Sequence, residues 1–73
     1  MLKLEKKEML NGDIYTSTNT FESVSIINNN QNGCVVVNIF DNEKELNINE
    51  VFDDFDEAVR WTETKVSMEV SFN

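Results

Sequence analysis

The hydrophobic period changes twice along this chain, and that change limits the fold more than any other feature. Cys34 to Phe40 is β-favouring and apolar on both faces, as in a central strand. Phe52, Phe55, Val59 and Thr62 then recur at steps of three and four with Ala58 beside them, the stripe of a helix that buries one face. From Val66 the period returns to two: Val66, Met68, Val70 and Phe72 alternate with Ser67, Glu69 and Ser71, which predicts a strand over 66–72. A chain ordered in this way is α+β.

The upstream half reads as strands. Leu2 and Leu4 alternate with polar neighbours, although the residues from Lys3 to Leu10 are also good helix formers. The strand reading is adopted, paired with Ile14 to Thr18 through a tight turn at Asn11-Gly12-Asp13, where Asn and Gly accept positive φ. From Phe21 to Ile27, Val24 and Ile26 take one face and Ser23 and Ser25 the other. The polar stretch from Asn28 to Gly33 closes this run into a hairpin with Cys34 to Phe40. Asp41 to Glu45 is a charged turn, and Leu46 and Ile48 alternate with Asn47 and Asn49 as a short strand. Asp54 followed by Glu57 resembles a capping box, so the helix is expected over about 54–65. The expected architecture is one domain over residues 1–73, an antiparallel sheet of about four to six strands with this helix on one face.

Composition narrows the function. The chain has no proline, no histidine and one cysteine, which excludes disulfide scaffolds, zinc fingers and imidazole chemistry. Fourteen acids against six bases give a net charge of -8. Nucleic-acid phosphates need a basic face, and anionic membranes repel such a chain, so neither is an expected partner. The start from Met1 to Lys7 leads into no apolar run of the roughly seven residues a signal peptide needs, nor the roughly twenty of a membrane span. Asparagine supplies 11 of 73 residues, with Asn28, Asn29 and Asn30 consecutive. Such proline-free, asparagine-rich chains are common in AT-rich genomes, including those of phages of low-GC bacteria. The expected compartment is the cytoplasm of a bacterial host.

The charge is concentrated. Asp41, Glu43, Glu45, Glu50, Asp53, Asp54, Asp56 and Glu57 lie within 17 residues and face one base, Lys44, so this window carries -7. Two readings stand. Acids favour the positive end of a helix macrodipole by roughly 0.3–1 kcal/mol each, but one or two suffice for that. The other reading is an anionic surface for a basic partner, since complementary fields raise on-rates and suppress wrong partners. Trp61 sits late in the helix beside Arg60, either as a rim residue of the core or as an exposed anchor of an interface.

Other chemistry is set aside. Asp41, Glu43 and Glu45 have the alternating spacing of a calcium loop, but Leu46 and Phe52 stand where that loop requires glycine and glutamate. Carboxylate pairs such as Asp53 with Glu57, or Glu50 with Asp54, need a burying cleft to work as acid and base, and a chain this short has little room for one. No glycine-rich phosphate loop and no serine elbow is present, so no catalytic residue, metal or cofactor is expected. Cys34, beside Val35, Val36 and Val37, reads as a buried small hydrophobe.

In length, asparagine-rich turns, sheet-plus-helix order and the acidic run from Asp41 to Glu57, the sequence resembles small acidic phage-encoded inhibitors of bacterial defence, the anti-CRISPR proteins among them. That resemblance lies in general character across the chain and in no family-specific motif. It implies a DNA-mimic inhibitor whose anionic surface binds a basic, nucleic-acid-handling protein such as a CRISPR effector nuclease. The expected partner-binding set is the eight acids above with Trp61. The order of hairpin, strand, acidic turn, helix and strand is also similar to antitoxin domains of the HicB type, with Glu57-Ala58 on the covering helix. The proline- and glycine-containing turn of those domains is missing here. A third possibility is a self-associating structural module, a homodimer in which Phe72 takes part.

Overall fold

The strand reading of the first ten residues holds, because Leu2 and Leu4 gain full burial only if alternate side chains point the same way. The computed structural model describes residues 1–18, 22–29 and 31–72. Phe21, expected to open the third strand, and Asn30 in the loop after it lie outside the described residues. The elements are β1 (Leu2–Met9), β2 (Gly12–Thr18), β3 (Glu22–Asn29), β4 (Val35–Asp41), β5 (Leu46–Phe52), α1 (Phe55–Val66) and β6 (Val70–Phe72). All six strands join one sheet in the order β5-β4-β3-β2-β1-β6. The fold is α+β, as the periodicity predicts.

Four successive antiparallel pairings build β1 to β5 as a meander. The exception to the expected antiparallel sheet is β6, which lies parallel to β1, with Leu2 beside Val70 and Leu4 beside Phe72. Its cause is the crossover. α1 leaves β5 at one edge of the sheet and delivers β6 to the other, and a helix of 12 residues covers about 18 Å on the way. Glu63 fastens the landing, its Oε2 accepting the Val70 N–H at 2.9 Å, and the Leu2 N–H donates to the Glu69 carbonyl at 2.8 Å.

The register assigns each strand residue to a face. Leu2, Leu4, Val24, Ile26, Val35, Val37 and Ile39 point to the helix side and are buried there with Ala58. Tyr15, Phe55 and Phe72 close one end of this core, with ring centroids 5.2–5.6 Å apart. Thr62, fully buried, returns its hydroxyl to the Ala58 carbonyl at 2.8 Å and leaves no orphaned donor.

Four local expectations are corrected. The final strand begins at Val70 rather than at 66, because Val66 ends the helix and Ser67 caps it in the left-handed region at φ 56°. Phe52 belongs to β5, opposite Val35, and reaches the core from the strand instead of extending the helical stripe. Cys34 lies in the turn before β4 and is half-buried, its N–H donating to Asn32 Oδ1. In the first hairpin Met9 pairs with Gly12, so Leu10 and Asn11 form the two-residue loop and Gly12 opens β2.

Candidate functional site

Each acidic side chain is placed by the hairpin of β4 and β5 and by the helix start that follows. Asp41 ends β4 and accepts the N–H groups of Glu43 and Lys44 on Oδ1 at 2.9 and 3.1 Å, which closes the turn. Glu43 and Glu45 project from that turn, Glu45 at φ 53°. Glu50 sits on β5, opposite Val37. At the far end of β5 come Asp53 and Asp54, then Asp56 and Glu57 in the first turn of α1. Asp54 is the N-cap, and its Oδ2 accepts the Glu57 N–H at 3.2 Å.

The structure therefore separates the acids into two groups joined by one strand. The turn group, Asp41, Glu43 and Glu45, and the helix-start group, Asp53, Asp54, Asp56 and Glu57, stand at opposite ends of β5, about 26 Å apart at strand rise. Glu50 lies between them. β5 is an edge strand, and all eight acids except the half-buried Asp41 are exposed along it. Among the described residues no three of them converge closely enough to hold a metal ion. The arrangement is two acidic groups bridged by Glu50, not a cup.

Two members have local work to do. Asp54 satisfies a helix N–H, and Asp41 holds a turn together. Replacing Asp54 with alanine is expected to cost about 1 kcal/mol, a fall in Tm of about 4–8 °C by circular dichroism. An unchanged Tm would show that the cap is dispensable. Among the described residues the remaining six acids accept no such backbone bond, and like charges near one edge repel one another. An edge strand does use charge to discourage pairing with other strands, but one or two residues serve that purpose.

Three of the six cations lie far from these acids. Lys3, Lys6 and Lys7 are on β1, four strands from β5, or about 19 Å across the sheet. Lys6 pairs with Glu8 at 3.9 Å and with the half-buried Asp13 at 3.8 Å, long surface contacts worth at most about 1 kcal/mol. The acids from Asp41 to Glu57 thus gather around the β5 edge, while β1, with Glu5 and Glu8 beside its three lysines, carries a net charge of +1.

Trp61 is half-buried. Its ring packs 5.5 Å from that of Phe52, and Lys65 lies 5.6 Å from its centroid. It forms the rim of the core next to the helix-start acids. One acid outside the expected set joins the turn group: Glu22, which the register sets opposite Asp41. The pairing of the hairpin, not the local sequence, brings it there.

No protein-family model, curated protein or solved structure matches the chain. No helix among the described residues is long and apolar enough to cross a membrane.

Proposed function

We propose that the protein is an inhibitor that occupies the nucleic-acid-binding groove of a basic enzyme through the acidic edge of β5. The observation that supports this reading is the pair of exposed carboxylate groups at the two ends of edge strand β5, Glu43 and Glu45 in the turn and Asp53 to Glu57 at the helix start, with Glu50 between them and Lys44 the single base in the run. A nucleic-acid strand presents one charge about every 3.4 Å, and a groove built for it holds Lys and Arg in a row. Carboxylates strung along about 26 Å of strand and helix start meet such a row at several points, where a compact cluster would meet one. The resemblance to anti-CRISPR inhibitors makes a CRISPR effector nuclease the first target to try.

The test is inhibition of guide-directed DNA cleavage by such a nuclease, titrated with the protein at low and high salt. Inhibition is expected at low salt and should weaken as salt screens the exposed charges. Reversing Glu43, Glu50 and Asp53 to lysine, while sparing Asp41 and Asp54 for their turn and cap, should reduce binding by at least a hundredfold and leave the circular dichroism spectrum unchanged. Inhibition that survives the triple reversal sinks the proposal.

A further inference from the structure

We propose that the sheet face opposite the helix is a self-association surface that takes a second copy of this chain. The register places Ile14, Ile27, Val36 and Val51 in one row across β2, β3, β4 and β5 on that face. Among the described residues no element covers them. Ile27 is 39% exposed and Val51 59%, and Phe40 and Met9 extend the same face along β4 and β1. An uninterrupted apolar row over four neighbouring strands is a stripe that a second layer can cover.

Charge argues for a second copy as that layer. The strand residues of this face include three charged groups, Lys3, Glu5 and Lys7, all on β1, so the face carries +1 in a chain of -8. None of the acids from Asp41 to Glu57 that belong to a strand points this way, since Asp41 and Glu50 share the parity of the buried Val37 and Ile39. Two copies can therefore meet here with the acidic edges at the periphery, and the like charge brought together is only +1 on each face. The polar row beside the stripe, Thr16, Ser25, Asn38 and Asn49, is partly satisfied within the copy, because Asn38 donates to Asn49.

The molecule measures 34 × 22 × 19 Å, so a rectangle on its two longer axes encloses roughly 750 Å², and most of the face, not the apolar row alone, has to be covered to approach the ~800 Å² per partner of a standard interface. With a polar row inside it, that interface belongs to a reversible dimer, with a dissociation constant on the order of micromolar.

Sedimentation of the full chain over a concentration series, at low and high sodium chloride, tests this. The expected result is a concentration-dependent dimer that strengthens with salt, since salt screens two chains of like charge and does not weaken apolar burial. Ile27→Lys should weaken it at least tenfold, while Glu43, Glu50 and Asp53 reversed to lysine should still dimerise, so this surface and the acidic edge fail independently. Should Ile27→Lys not fold, Val51→Lys on the exposed edge strand replaces it. In the unsubstituted protein, isotope-filtered contacts between the methyls of Ile14, Ile27, Val36 and Val51 in a mixed labelled sample report the same interface. A monomer at every concentration, a dimer indifferent to both lysine variants, or a dimer dispersed by salt would each overturn the proposal.

Discussion

Gly12→Ala should unfold this protein or leave it barely folded, with a loss of about 3 kcal/mol or more in a urea titration. Gly12 sits at φ 150° where β2 begins, a conformation that side chains rarely adopt. A Cβ there would stand 2.0 Å from the Asn28 carbonyl oxygen and 3.2 Å from the Asn29 Cα. Both obstacles are backbone of β3, paired with β2 through this point, so neither can swing aside as a side chain would. The strands would have to part at the register that orders the central sheet. Gly33→Ala supplies the contrast. Gly33 has φ 72° with nothing within 4 Å of the added carbon, so that variant meets the left-handed penalty alone, about 1 kcal/mol. Equal losses at the two positions would refute the close-approach argument.

Ile26→Ala is expected to cost about 2–5 kcal/mol, and its neighbour Ile27→Ala less than about 1 kcal/mol. The residues share a strand and a chemistry and differ in the face they take. Ile26 is fully buried between Tyr15 and Val37 on the flanking strands, under the helix, while Ile27 lies on the uncovered side. A domain of 73 residues has roughly 4–11 kcal/mol of stability in total, so the first change removes a large share of it. Both are to be measured well below the micromolar range, where the self-association proposed above contributes nothing. Similar losses at both positions would mean that the open face is buried in the monomer.

Most of the fold is legible because its signals are local. Alternation in Leu2, Leu4, Val24 and Ile26 marks a buried face, and the three- and four-residue spacing of Phe55, Val59 and Thr62 marks the helix. Where the sequence misleads, two elements reach the same core from different backbones. Phe52 fits the helical stripe by spacing, yet it packs on Trp61 from a strand. Val66 and Met68 alternate correctly for a strand, yet they cover the core from the end of the helix and the loop behind its cap. Pairing of β6 with β1 in parallel depends on a partner far away in sequence, and no local pattern carries it.

The acidic run is the reverse case. Its residues are evident in the sequence, and their distribution in space is not. Two groups at opposite ends of β5 look like one cluster when counted along the chain. The register also adds Glu22 beside Asp41 from another hairpin.

The parallel pairing of β1 with β6 has a kinetic meaning. Every other strand pair joins neighbours in the chain and can form by zipping out from a short turn. Leu2 and Val70 must close a loop of 68 positions, with the helix inside it, before either gains from the contact. Loop closure of that size is slow to form and early to open, so the meander of β1 to β5 is the natural folding nucleus. The helix and β6 are then the last unit to dock and the first to let go. Amide exchange should divide the molecule along that line, with β3 and β4 exchanging slowest.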